Sequence, residues 1–181
     1  MITAEDFLHQ HPVSLPSQSL PRQSEGVEET EIYDQCFRSA VQSLTSAGAS
    51  TKMLIDRLYR KHYPHEVITR VIHRLEDDGY LNDYEYAESA CRKMIKKNFG
   101  PFRIQYELTQ KGIDSSCIRS LLQQAEERGD FDTVAQAIAH DVYQKNQSLD
   151  LYHLHRKVAR IAQQKGIDVS TVLSYISEYE Q

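Results

Sequence analysis

The sequence has no tryptophan, only three cysteines, and no stretch near the roughly 18 apolar residues that cross a membrane. Each shortage excludes something. Cys36, Cys91 and Cys117 are odd in number, far apart and without C-x-x-C spacing, which rules against a disulfide framework or a zinc site. They read as small buried apolar residues. The N-terminus lacks a basic-then-apolar signal pattern, so the expectation is a soluble cytoplasmic protein with no membrane contact. Runs of alternating β-branched residues are nearly missing, which excludes a sheet and leaves an all-α chain. No G-x-S-x-G, glycine-rich phosphate loop or H-E-x-x-H occurs. Glu76, Asp77 and Asp78 form a run at a helix end rather than a catalytic pair. The eight histidines are scattered; of the close pairs, 9/11 reads as solvated, and 153/155 lie two apart on an expected helix, where they diverge. We therefore expect no catalysis, no metal and no cofactor.

Charge is also lacking where it would count. The formal net charge is −5, and residues 1–31 account for all of it, with Arg22 against Glu5, Asp6, Glu25, Glu28, Glu29 and Glu31. Residues 32–181 hold 20 bases and 20 acids. That balance leaves room for no more than weak binding to single- or double-stranded DNA, because strong binding needs excess cations to displace counterions. Residues 1–31 also contain Pro12, Pro16 and Pro21 and few large apolar residues, so they are expected to form a disordered acidic tail.

What is present is repetition. In residues 98–122, Gly100-Pro101 opens a helix whose apolar face is Ile104 and Leu108. Lys111-Gly112 stops it, since glycine takes the left-handed C′ conformation without steric cost. Asp114 caps the next helix, with Ile118, Leu121 and Leu122 as its stripe. An offset of 50 places Leu54 on Ile104, Leu58 on Leu108, Lys61 on Lys111, Ile68 on Ile118 and Val71 on Leu121. An offset of 54 repeats Lys111-Gly112-Ile113-Asp114 as Lys165-Gly166-Ile167-Asp168, letter for letter. Apolar face, stop and cap coincide three times, which argues for internal repeats. The first copy departs at its turn, with His62 for glycine and Pro64 for the capping aspartate; histidine is among the non-glycine residues enriched at positive φ. Upstream of each helix pair lies one more helical segment. In the second copy Asp83 is the expected cap and Tyr86, Ala87, Ala90, Cys91, Met94 and Ile95 are the inner face. The expected division is a tail over 1–31 and three-helix repeats over 32–79, 80–128 and 129–181.

Gly79-Tyr80-Leu81-Asn82-Asp83-x-x-Tyr86-Ala87, followed by Gly100-Pro101-x-Arg103-Ile104-x-x-Glu107-Leu108-x-x-Lys111-Gly112-Ile113, resembles the RecX family over about residues 33–179, most strongly over 75–122. The resemblance implies three tandem three-helix repeats in an elongated, curved body, and because tandem repeats contact mainly their neighbours an elongated monomer is expected. It further implies a regulator that binds the RecA recombinase within its DNA filament, limiting filament growth, ATP hydrolysis, strand exchange and co-protease activity.

The residues that fit such a partner are basic. Arg92, Lys93, Lys96, Lys97, Arg103 and Lys111 stand against one acid, Glu107, and Arg156, Lys157 and Arg160 form a second cluster. Contact with an acidic nucleoprotein surface competes with the plainer reading of solvated helix faces. Tyr80, Tyr84 and Tyr86 gather at the start of the second repeat; Tyr86 reads as core and Tyr80 as packed at a corner. Two other functions suit the same residues, a helix-turn-helix DNA-binding regulator and a scaffold that binds only protein. For the DNA reader, Gln123-Gln124 is the nearest thing to a base-reading pair.

Overall fold

The computed structural model describes the backbone of residues 25–179 and side chains from Glu29 onward. The described residues form nine helices and no strand: α1 (Glu25–Ala47), α2 (Thr51–Arg60), α3 (His65–Asp77), α4 (Asp83–Ile95), α5 (Pro101–Gln110), α6 (Ser115–Glu127), α7 (Asp130–Gln144), α8 (Leu151–Lys165) and α9 (Val169–Tyr179). The chain is all-α, as expected, and its helices fall into the three triplets that the offsets give.

The repeat register carries into burial. Leu54, Ile104 and Val158, which the offsets superimpose, each have 0% exposure. Leu58, Leu108 and Ala162 follow one turn later and are equally enclosed. The turns follow too. Gly112 and Gly166 have φ of +79° and +71°, and His62, which stands in their place in the first repeat, has φ of +63°. Pro64 precedes α3 without a side-chain capping bond, whereas Asp114 accepts the Ser116 and Cys117 N–H groups at the start of α6. Ser50 caps α2 through the Met53 N–H at 3.3 Å. The cap of α4 differs from expectation. Asn82 Oδ1 accepts from Tyr84 and Glu85 N–H at 3.0 and 3.3 Å. Asp83, freed from that role, accepts the Thr51 N–H at the start of α2 at 2.7 Å.

The expectation of a disordered tail lies outside the described residues as far as residue 24. Residues 25–31 are the opening turns of α1, where Glu29 Oε1 meets Arg70 Nη1 of α3 at 2.7 Å. Four of the six acids counted in the tail are therefore helical: Glu25, Glu28, Glu29 and Glu31.

Two compact units divide the chain, Met1–Tyr86 and Ala87–Gln181. In the first, α1 packs on α2 and α3. Cys36, Phe37, Ala40 and Val41 of α1 close the core over Leu54, Leu58, Ile68, Val71 and Leu75. In the second, α6 packs on α5 and α7, and α7, α8 and α9 pack on one another around Val134, Ile138, Val158, Val172 and Ile176.

The second and third repeats meet, within this second unit, at two glycines. Gly100 N–H donates to the Lys165 carbonyl at 2.8 Å and Phe102 N–H to the Gly166 carbonyl at 3.0 Å. Unpaired donors at the start of α5 thus satisfy unpaired acceptors at the end of α8, and the positive end of one helix dipole faces the negative end of the other. No side chain fits between them. A Cβ on Gly166 would lie 2.3 Å from the Arg103 backbone N, and one on Gly100 would lie 2.4 Å from the Gly166 carbonyl oxygen.

Candidate partner-binding surface

Helical geometry sorts the basic residues into those tied into the framework and those left outward. Arg103 is tied in. Its Nη2 meets Glu107 Oε1 at 2.7 Å, and its guanidinium lies 6.0 and 5.9 Å from the Phe99 and Tyr106 ring centroids. Lys165 covers the other side of the same junction, with Nζ 4.8 Å from the Phe99 centroid and 2.9 Å from the Lys97 carbonyl. Lys157, at the position of Arg103 one repeat later, reaches Asn146 Oδ1; Asn146 is buried at the end of α7 and donates to the Val142 carbonyl at 2.6 Å. Lys111 is the half-buried C-cap residue of α5.

Arg92, Lys93, Lys96 and Lys97 stay exposed on the last turns of α4 and just beyond. Cations are favoured there by the negative end of the helix dipole. Arg92 makes one exposed ion pair, with Glu88 at 3.0 Å. Arg92 and Lys96 share a row, Lys96 N–H donating to the Arg92 carbonyl at 3.2 Å, and Lys93 and Lys97 lie off it. In the third repeat Arg156 and Arg160 share a row on α8 and are exposed. Arg156 lies 5.7 Å from the centroid of Tyr152, itself 66% exposed.

The row of Arg92 and Lys96 borders a groove of about 430 Å³ between α4 and α6. Cys91, Ile95 and Leu121 supply apolar lining, and Gln124, Arg128, Glu88 and Asp130 complete it. Arg128 is fixed by Asp130 Oδ2, which accepts from Nε at 3.0 Å and lies 2.9 Å from Nη2. Burial pushes the Cys91 thiol above its usual range, so it stays a protonated apolar neighbour. Sequence reasoning did not assign Arg128, because nothing local brings a residue 36 positions from Arg92 beside it.

A second feature was missed although its signal was present. Phe102 and Tyr106 are 63% and 57% exposed on the outer side of α5. They are four apart and off the Ile104/Leu108 stripe, so helical spacing alone turns them outward. Tyr80 and Tyr84 are also exposed, at 42% and 45%, while Tyr86 donates its hydroxyl to the Met53 sulfur at 3.3 Å.

The base-reading candidates are occupied: Gln123 donates to Glu127 and Gln124 to Ser120, each within α6. Among the described residues no group of three or more His, Cys, Asp or Glu is placed to hold a metal ion. No helix among them is long and apolar enough to cross a membrane.

Comparison with known proteins decides the family. Residues 36–75 match the model of the first RecX three-helix domain and residues 82–122 that of the second. A regulatory protein RecX of Bacillus velezensis is 33% identical over 152 residues, covering 81% of this chain and 56% of that protein. The Bacillus subtilis regulatory protein RecX is 31% identical over 147 residues, covering 80% and 54% respectively. This chain belongs to the RecX family. RecX from Lactobacillus salivarius has the same fold, with a TM-score of 0.73 over 83% of this chain and 98% of that one at 21% identity. The match to the Bacillus velezensis RecX spans little more than half of that relative's length. The named relatives are regulatory proteins, and this RecX chain shares their helical domains.

Proposed function

We propose that this RecX chain binds the RecA recombinase, or its filament on DNA, and restrains recombination, ATP hydrolysis and co-protease activity without catalysing a reaction itself. The observation that carries this reading is the exposed quartet Arg92, Lys93, Lys96 and Lys97, set on a RecX three-helix domain. Its role is to meet an acidic filament surface, where charge attraction sets encounter rate and orientation. Arg156 and Arg160 offer a second contact of the same sign. A balance of 20 bases and 20 acids over residues 32–181 favours a protein-containing target over naked DNA.

The test replaces Arg92, Lys93, Lys96 and Lys97 together by serine and leaves Arg103 in place, since Arg103 supports the junction with α8. Helical content should persist, because exposed substitutions usually change stability by about 0.5 kcal/mol or less. Inhibition of RecA should fall, and binding of the parent should rank filaments above random single strands and duplexes. A folded quadruple variant that inhibits like the parent, at low and physiological salt, refutes the reading.

A further inference from the structure

The groove between α4 and α6 has a composition that a merely solvated face does not require. Its rim carries three cations, Arg92, Lys96 and Arg128, and two acids, Glu88 and Asp130. Both acids are already paired with these cations, Glu88 with Arg92 at 3.0 Å and the half-buried Asp130 with Arg128 at 2.9 Å. Among the described residues no carboxylate makes a salt bridge with Lys96. Beneath the rim is an apolar floor, with Cys91 and Leu121 at 4% and 3% exposure and Ile95 half-buried.

We infer that this groove is a socket for an acidic protein segment, in which one carboxylate sits beside an apolar side chain. The carboxylate bridges Lys96 and the Arg128 guanidinium, whose planar fork suits two parallel hydrogen bonds. The apolar neighbour covers Ile95, the half-buried side chain of that floor. Glu88 and Asp130 hold Arg92 and Arg128 in place before binding, which lowers the ordering cost. A phosphate backbone would use the rim and leave the apolar floor uncovered, so the composition favours protein over nucleic acid. This inference rests on the reading that the partner is the recombinase filament, and it names what that partner presents.

The experiment uses the full chain with p-benzoylphenylalanine in place of Gln124, which lines the groove and whose side-chain amide donates to Ser120 of its own helix. Irradiation with RecA filaments on single-stranded DNA should join position 124 to a recombinase peptide holding Asp or Glu next to an apolar residue. Lys96→Glu and Arg128→Glu should each weaken filament binding about tenfold. Because Arg128→Glu also sets two acids against each other at Asp130, Lys96→Glu is the variant that must stay folded by circular dichroism. An adduct to the DNA strand, no adduct at all, or a folded Lys96→Glu that binds like the parent overturns the socket. Comparison with Lys93→Glu/Lys97→Glu separates the two levels. If only that outer pair matters, the socket falls and the recombinase reading stands; if none of these changes matters, both fall.

Discussion

Three glycine-to-alanine changes isolate the energetics of the junction between α5 and α8. Gly166 has φ of +71° and Gly129 has +72°, so alanine is strained at both by about 1–2 kcal/mol. They differ in space. At Gly129 no heavy atom lies within 4 Å of a new Cβ, whereas at Gly166 the Arg103 N, Cβ and Cα would lie at 2.3, 2.5 and 2.8 Å. Two of these are backbone atoms at the start of a helix, so relief requires the helices to part; overpacking of this kind costs about 1–3 kcal/mol. Gly129→Ala should therefore cost about 1–2 kcal/mol and Gly166→Ala about 2–5 kcal/mol, the sum of the two effects. Gly100 supplies the third corner. Its φ of −86° suits alanine, yet its Cβ would meet the Gly166 oxygen at 2.4 Å, so only the packing cost of about 1–3 kcal/mol applies. Urea unfolding followed by circular dichroism reads all three. With a slope of about 2 kcal/mol per molar, Gly166→Ala should lower the midpoint by about 1–2.5 M. Equal midpoints for Gly166→Ala and Gly129→Ala would show that the junction gives way freely and refute the argument.

Two further outcomes are expected. Asp114, Asp150 and Asp168 cap α6, α8 and α9, and their carboxyls lie below the ordinary value of 3.8 because of the Ser116 hydroxyl, the His153 N–H and the Ser170 hydroxyl respectively. Depressed carboxyls stabilise above their unfolded value, and that contribution disappears as pH falls through the folded value; carboxyl NMR titrations with midpoints at or above 3.8 would contradict this. Phe102→Ala with Tyr106→Ala should change stability by about 0.5 kcal/mol per site, since both rings are largely exposed. The same double variant should weaken RecA inhibition about tenfold, as expected for exposed aromatics at an interface, and unchanged inhibition would exclude them from it.

Much of the fold was legible because it depends on spacing and turn chemistry. Leu54, Ile104 and Val158 could be aligned by offset, and the left-handed turn could be expected at Gly112, at Gly166 and even at His62. Local signals were weaker where two neighbours compete for one role. Asn82 and Asp83 can both cap a helix, and the reach of Asp83 to Thr51 on another helix is not a local property. The start of α1 was missed because polar and acidic residues from Glu25 gave no apolar stripe; a long-range pair, Glu29 with Arg70, meets it there. For the candidate surface, sequence located the cations on α4 but not which of them share a row, and it could not show Arg128 beside them.

Repetition also separates structural cations from available ones. Lys61, Lys111 and Lys165 occupy one position in three repeats. Lys61 reaches Ser39 and Lys165 reaches the Lys97 carbonyl, so this recurring lysine ties a turn back onto an earlier part of the chain. Arg103 and Lys157 likewise coincide, and both are held, by Glu107 and Asn146. The α4 quartet behaves otherwise. An offset of 50 sets Arg92, Lys93, Lys96 and Lys97 on Gln42, Ser43, Ser46 and Ala47, none of them charged. A three-helix unit of this design closes without cations at those places, as α1 demonstrates, so folding does not account for them in the second repeat. The outward pair on the second helix varies in the same way, from Lys52 and Asp56 to Phe102 and Tyr106 to Arg156 and Arg160. Positions that the scaffold leaves unspecified are those where a partner's chemistry can be written, and in this chain they carry the basic quartet, the exposed aromatic pair and the arginine pair.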